Sequence, residues 1–560
     1  MRIRVTLEGI RAEGARQIDR PPARIYLSDA APGGEDDPES ASSLAGLEQK
    51  LRERGRSYML VDDDSIRVVA DYQGSQHLYV HRGAAPQELT VSDDPMTFAG
   101  LLPIDDDVAR LVSLMKFVPP PLSIVRGAER LPPGTLRVYD RRSLAPIGQE
   151  NYLPELYSVA AHEPTQDDIR ETLAAIVADQ ARNLPRPVVF LSGGSDSALL
   201  VHLLKQGGFV PTTWTAVFDT PTGRVEGKLA ASAAARYGVP WRSVTIDKAA
   251  TLEYLPVILD HMKEPFADVA LVPEAVLGLA MRREMGAEAG RIGVFEGEGM
   301  DSLMCGSYKF VVERYRRWLA PLLAGIPAAA VRDADRSTSW GAWKLKIQQM
   351  KALLEGKEVF RRHFRFLLDE DFEDHVPSAI RAQVAEAFRT GYDLLPELDG
   401  LSRLAMMTFQ GNVPNLENRK LQTVSACAGI DFRLTYQDPR FIRLAMSIPA
   451  RSKIGLGYGK RIVKEAFRQD LPPHALTRRK ASFVPPIVDW IYPELEELLF
   501  SSDLFEHSYI RKRIDEHTGG IRDHLPFVWG LLVANAWIRR YEAQACRERS
   551  GQELAASRSP

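Results

Sequence analysis

The sequence predicts an α/β protein in two parts: a small α+β amino-terminal domain over residues 1–155, then a parallel-sheet domain over 165–545 whose carboxyl-terminal part is largely helical. Three observations carry this. Before residue 155, short segments alternate apolar and polar residues between turn formers, as half-buried antiparallel strands do. After 165, short apolar runs alternate with helical periods, the pattern of a parallel sheet with helices on its faces. At 187–200, PVVFLSGGSDSALL, a buried strand stops at a run of glycine, serine and aspartate and gives way to another apolar run.

An opening strand is followed by SDAAPGGEDDPESASSLA (28–45), which reads as an exposed loop, and by a helix near 44–55. YMLVDDD, SIRVVADYQ, HLYVHRG and LTVSD are the alternating strands. A helix near 106–116, a proline-rich link at Pro119–Pro121 and the strand TLRVYD after the LPPG turn complete the first domain. In the second, VVFL (188–191), TTWTAVF (212–218), RSVTI (242–246) and IGVFEG (292–297) are strands. The helices ALLVHLLKQG, KLAASAAARYG and PEAVLGLAMRREMG lie between them. Residues 308–400 and 440–545 are helical in period, and 546–560 read as a disordered tail.

The 560-residue chain is long enough for two to four domains, and its 45% hydrophobic and 26% charged residues are ordinary for a soluble globular protein. A formal net charge of −3 gives no basic field, so no general nucleic-acid partner is expected. The cysteines, Cys305, Cys427 and Cys546, lie far apart, which excludes a CxxC cluster and a disulfide framework. No stretch approaches the ~20 apolar residues of a membrane span and no signal-peptide core opens the chain, so a cytoplasmic protein without membrane contact is expected.

A strand that ends in Ser192-Gly193-Gly194 and starts a helix at once offers free backbone N–H groups where the helix dipole favours an anion. Glycines let the main chain approach a phosphate, and Ser192, Ser195 and Ser197 add hydroxyl donors. Asp196 beside phosphate is repulsive unless a divalent cation lies between them, so the acid points to Mg²⁺. A plain helix cap needs one such residue, not six in a row. The other phosphate loop, GxxxxGK[ST], is absent: Gly455-Leu456-Gly457-Tyr458-Gly459-Lys460-Arg461 lacks its first glycine and its final hydroxyl.

SGGSDS resembles the SGGxDS pyrophosphate loop of the ATP-pyrophosphatase superfamily, whose members split ATP into AMP and pyrophosphate to activate a carboxylate or carbonyl. IGVFEGEGMDSLMCGSYKF (292–310) resembles the GEGxDE…GGY segment of the asparagine synthetases. AGIDFRLTYQDPRFIRLAMSIPARSKIGLGYGKRIVKEAFRQDLPPHALTRRKASFVPP (428–486) is similar to the pattern that follows in that family. The resemblance implies ATP and Mg²⁺ as cofactors. Ser192, Gly193, Gly194, Ser195, Asp196, Ser197 and Gly297 would bind ATP or pyrophosphate, and Asp196 with Asp301 would hold the metal. Glu298 would be the general base for the attacking nitrogen. Lys460 would stabilise charge on the acyl-adenylate and tetrahedral intermediate. Glu226, Glu264 and Asp268 match acids on the substrate side, though a first-turn acid or a plain loop explains them as well. Arg433 and Asp438 are architectural on this reading, and Tyr308 belongs to the core.

The glutamine-hydrolysing members open with a nucleophilic cysteine after Met; residue 2 here is arginine and the earliest cysteine is Cys305. DYQGSQHLYV (71–80) and the LPPG turn (131–134) still resemble the later part of the family's glutaminase domain, which implies a shortened, inactive version. β-Lactam synthetases and lasso-peptide cyclases have lost the same cysteine; the former carry tyrosine where this chain has Glu298. Ser302, Leu434, Thr435 and Gln437 depart from the pattern and are expected around the acceptor pocket. The implied activity is an AMP-forming amide ligase acting on a small-molecule or peptide carboxylate. Its nitrogen donor is an amine or ammonia, free or supplied by a partner protein. The alternatives are intramolecular lactam or macrolactam formation, then tRNA base modification or a non-catalytic binding module.

Overall fold

The computed structural model describes residues 1–560 except 7–9, 21–22, 29–42, 84–87, 161, 287–291, 328–346, 348–349, 351–368, 478–486, 520 and 557–560. The expected loop at 28–45 therefore lies largely outside the described residues, as do the RRK of 478–480 and Phe483.

The amino-terminal part holds two antiparallel sheets. Its strands are β1 (Arg2–Thr6), β2 (Ile10–Glu13), β3 (Ala15–Arg20), β4 (Ala23–Ser28), β5 (Tyr58–Val61), β6 (Ser65–Val69), β7 (Tyr79–Gly83), β8 (Glu88–Ser92), β9 (Ala128–Arg130), β10 (Thr135–Asp140) and β11 (Pro146–Asn151). They form the orders β2-β1-β8-β7-β9 and β11-β10-β6-β5-β4-β3. Ile3, Val5, Met59, Val61, Ile66, Val68, Val80 and Val91 interlock between the sheets, while Tyr58, Leu60 and Val69 face the opposite way, toward Leu47 and Leu51 of the helix Leu44–Glu53. β5 is thus buried on both faces, which is why YMLV carries no polar residue. Strands β2, β3 and β4, in the antiparallel pairs β1–β2 and β3–β4, and the exposed edge strand β11 were not expected from the sequence; PIGQEN has no apolar alternation to announce β11.

The second sheet system is parallel and ordered β14-β13-β12-β15-β16, from β12 (Val188–Phe190), β13 (Thr212–Phe218), β14 (Trp241–Ile246), β15 (Ile292–Phe295) and β16 (Ile430–Arg433). Alternate residues of β12 face opposite layers: Val188 and Phe190 belong to the apolar core that includes the helix Leu271–Met285, whereas Val189 and Leu191 belong to the one that includes Gln166–Ala181 and Ser195–Gln206. β16, in AGIDFR, was also missed, since a three-residue alternation is too short to separate from the helix before it. The helix Leu525–Ala556 carries the expected tail region as far as Ala556, so 546–556 is helical. It packs through Gly530 against Val112 and Ser113 of the helix Asp106–Met115, tying the carboxyl terminus to the amino-terminal part.

From β12 the chain moves outward to β13 and β14, then returns to β15 on the other side of β12. The strand order reverses between β12 and β15, and in open α/β sheets the crevice at such a reversal is where ligands bind.

Candidate functional site

The loop after β12 is built to expose backbone donors. Gly193 takes φ +69°, and a Cβ there would press on Leu229 Cβ (3.1 Å) and on the backbone N of Ala230 (3.2 Å), so helix Pro221–Tyr237 needs this glycine in order to approach. Gly194 caps the helix Ser195–Gln206 without any side-chain hydrogen bond to its first N–H groups. Ser192 and Gly194 are exposed, and Ser195 and Asp196 are half-buried. Buried Ser197 braces the turn: its Oγ accepts from the Ser192 N–H at 3.1 Å. Ser195 Oγ donates to Asp196 Oδ1 at 3.0 Å. The Tyr436 hydroxyl, fully buried, donates to the Asp196 carbonyl at 2.8 Å and pins the helix start.

The loop after β15 meets it. A Cβ on Gly297 would lie 3.2 Å from Asp196 Cβ, and Gly299 takes φ +97°. Asp301, in the short helix Met300–Leu303, and Asp196 both place an oxygen 2.5 Å from Lys460 Nζ. Lys460 adopts φ 59°, a left-handed conformation costly for a lysine, and its N–H donates to the Met304 carbonyl at 3.0 Å. Gly306 permits the approach, since a methyl group there would overlap the Asp301 carboxylate and Lys460 Cε. Two carboxylates and one ammonium, expected from three distant sequence segments, therefore meet at one point of the crevice.

Glu298 stands beside this point in a different cluster. The Lys420 ammonium, its side chain 2% exposed, bridges Glu298 and Glu274, with Oε1 of Glu274 at 2.6 Å. Carboxylate oxygens of Glu274, Glu296 and Glu298 lie within 4.8 Å of one another. Burial pushes the Glu274 carboxyl up to about 7, with Lys420 opposing and Glu298 adding to the rise. Burial, then the charges of Glu274 and Glu298, push Glu296 up as well. Against its own burial, the surrounding acids Glu274, Glu298 and Asp268 raise Lys420 and keep it charged. One ammonium cannot balance three carboxylates, so the cluster retains protons at neutral pH.

The substrate-side acids separate. Asp268 accepts from the Ala270 N–H at 3.0 Å at the start of the helix Leu271–Met285, close enough for its charge to act on Lys420. Glu226 is half-buried on the helix Pro221–Tyr237, whose backbone packs against Gly193. Glu264 is not on the crevice: it is buried among His77, Tyr79, Arg130 (3.1 Å) and Arg419 (3.7 Å), a network joining β7 and β9 to the second part. Despite its burial, His77, Arg130 and Arg419 hold its carboxyl well below the usual range, and burial with Arg419 lowers His77 to about 3. A loop acid next to a proline gives no hint of partners so far away in sequence. Asp438 caps the helix Pro439–Ser447 and Arg433 pairs with Asp431 at 2.8 Å. Tyr308 is half exposed rather than in the core. Thr435 and Gln437 are fully buried, bonded to Gln180 Oε1 (2.8 Å) and Asn418 Oδ1 (2.9 Å).

Glu274, Glu296, Lys420 and Tyr436 were not singled out from the sequence. No local signal marked Lys420, which lies inside a helix that runs without a break from Gly400 through the π-helical turn Val413–Glu417 to Ala428. Among the described residues no helix is long and apolar enough to cross a membrane.

Comparison with known proteins agrees with this geometry. The asparagine synthase family model matches residues 168–539. A Mycobacterium bovis protein provisionally named a glutamine-hydrolyzing asparagine synthetase is 24% identical over 462 residues, covering 78% of this chain and 67% of its own. The glutamine-hydrolyzing asparagine synthetase 1 of Bacillus subtilis is 22% identical over 468 residues, covering 78% and 68%. Among solved structures, the glutamine phosphoribosylpyrophosphate amidotransferase of B. subtilis, complexed with ADP and GMP, aligns over 51% of this chain and 58% of its own. It does so at 10% identity and a TM-score of 0.14, too slight to bear on the fold. With its family model covering both loops of the crevice and the helices around them, the chain belongs to the asparagine synthase family.

Proposed function

We propose that the protein is an ATP-dependent, AMP-forming amide ligase. The observation that carries this reading is the meeting of Asp196, Asp301 and Lys460 at the sheet's reversal, beside a helix start whose first N–H groups have no side-chain cap. The carboxylate substrate attacks the α-phosphorus of ATP, the bond to the β-phosphate breaks, and pyrophosphate leaves against the N–H groups of Gly193 to Ser197. Asp196 and Asp301 would hold Mg²⁺; their convergence on the Lys460 ammonium, a positive charge already seated between them, supports the fit. Bound there, the ion neutralises phosphate charge. Lys460, adjacent to the reacting carbonyl in this reading, stabilises the negative oxygen of the tetrahedral intermediate.

In the second step a nitrogen nucleophile attacks the acyl carbon, Glu298 takes its proton, and AMP departs with the electrons of the C–O bond. The donor is ammonia or an amine, free or delivered by another protein. The absence of cysteine before Cys305 supports this, and the amino-terminal sheets are then a glutaminase-like body without its nucleophile. The test is pyrophosphate and AMP release from Mg·ATP with pooled amino-acid and peptide carboxylates, with and without ammonium, using Asp196→Ala as control. Carboxylate-dependent release that the substitution abolishes is the expected result; release that survives it, or none from the native protein, refutes the assignment. A product lighter than its carboxylate by one water identifies ring closure within a single molecule.

A further inference from the structure

Glu298 lies between Gly297 and Gly299, the latter at φ +97°, so the backbone around it does little to aim its carboxylate. What aims it is Lys420. We propose that Lys420 is a positioning residue for Glu298, and that the amino-terminal sheets, having no glutaminase nucleophile, set where Lys420 stands. The inference rests on the ligase reading above and adds to it a working part for the amino-terminal half.

Three consecutive residues divide the labour. Lys420 turns inward to Glu274 and Glu298. Asn418 and Arg419, each about 100° around the helix from its neighbour, turn to the loop Asp71–His77 that precedes β7. Asn418 Nδ2 donates to the Gln73 carbonyl at 2.8 Å, and Arg419 Nη2 donates to the carbonyls of Gly74 and Ser75, both at 2.7 Å. Gln73 Nε2 donates to the Gln437 carbonyl at 3.2 Å. Gln437 in turn receives Asn418 Nδ2 at 3.0 Å and packs on the Glu298 loop, its Cγ 3.1 Å from where a Cβ of Gly299 would be.

The same loop seats the π-helical turn that precedes Asn418 within one continuous helix from Gly400 to Ala428. Residues Val413–Glu417 form a π-helical turn, an insertion that shifts the facing of the residues that follow and recurs at functional sites. The His77 ring lies 3.1 Å from the Pro414 carbonyl, and Gly74, at φ +59°, leaves room for Pro414, whose Cα would be 3.3 Å from a Cβ there. Arg419 is further fixed by Glu264, which Arg130 of β9 holds. The π-helical turn and the residues that follow it are thus held by contacts from the amino-terminal sheets, and Lys420 inherits its direction from them.

The experiment uses the full chain, the carboxylate pool above and two nucleophiles. Ammonium must lose a proton to react, whereas hydroxylamine is already neutral at neutral pH and depends little on a base. In Lys420→Met, pyrophosphate release and hydroxamate formation are expected to stay within about threefold of native, while amide formation from ammonium falls about 100-fold. Lys420→Arg recovers most of it. Gly74→Ala, which pushes on Pro414 from the amino-terminal side, shows the same selective loss at about tenfold. Equal loss with both nucleophiles, or no loss, overturns the proposal. A crystal structure of Lys420→Met supplies a readout independent of activity: a displaced Glu298 carboxylate supports positioning and an unmoved one overturns it. No pyrophosphate release by the native protein refutes the ligase reading, and that crystal structure still decides the role of Lys420.

Discussion

Gly306→Ala tests how tightly the Asp196 and Asp301 carboxylates and Lys460 must meet. Gly306 has no positive φ, so alanine brings no backbone strain, and its N–H can go on donating to the Asp301 carbonyl at 2.7 Å. The new methyl would lie 3.0 Å from Asp301 Cγ, closer still to Oδ1, and against Lys460 Cε. Ordinary contacts of this kind sit at about 3.5–4.0 Å, so the carboxylate and the lysine stem must each move by more than about 1 Å. Both obstacles are side chains that can swing, and alanine stiffens the unfolded chain, so stability should change by less than about 1 kcal/mol. A misplacement of that size costs about 100-fold in rate when it separates charges that act together. Gly530→Ala is the contrast: its methyl would meet the Val112 carbonyl at 2.6 Å and Ser113 Cα at 2.7 Å, backbone atoms that cannot turn aside. That variant should lose roughly 1–3 kcal/mol with the residual folded enzyme still active. The assays are pyrophosphate release under saturating Mg·ATP and urea denaturation of both variants. Activity of Gly306→Ala within threefold of native, or its unfolding, would refute the reasoning.

The acid cluster gives stability a defined pH dependence. Because the folded Glu274 carboxyl is raised to about 7, the native state holds a proton that the unfolded chain releases near its ordinary pKa, so the contribution is full below about 4.5 and is lost as pH rises toward 7. Glu274→Gln should flatten the fall of stability across that window by about 1–3 kcal/mol, measured as urea midpoints at both ends; an unchanged slope would assign the protons elsewhere. Arg130→Met leaves Glu264 buried without its nearest guanidinium partner and should cost about 3–5 kcal/mol, read by thermal and urea unfolding; a loss below 1 kcal/mol would mean that Arg419 and His77 suffice.

Much of the crevice was legible in the sequence because its parts are local. SGGSDS and GEGMD each follow a strand, and strand, turn and helix start are set by neighbours in the chain, so the donors and acids they present could be named with their direction. Lys460 came from the resemblance over 428–486, since nothing in GYGKR by itself marks a left-handed lysine. The β12, β13, β14 and β15 segments were plain as apolar runs, while β11 and β16 were too polar or too short to declare themselves.

What the sequence by itself determined was the make-up of each loop: glycines, hydroxyls and acids placed where a strand ends and a helix begins. Only the tertiary structure decided which charges share a partner. Lys420 lies more than a hundred residues from both Glu274 and Glu298, and Glu264 is paired with Arg130 and Arg419 instead of facing the crevice. Ion pairing in a buried site depends on distance and desolvation, both set by how helices and sheets pack and neither encoded in local spacing.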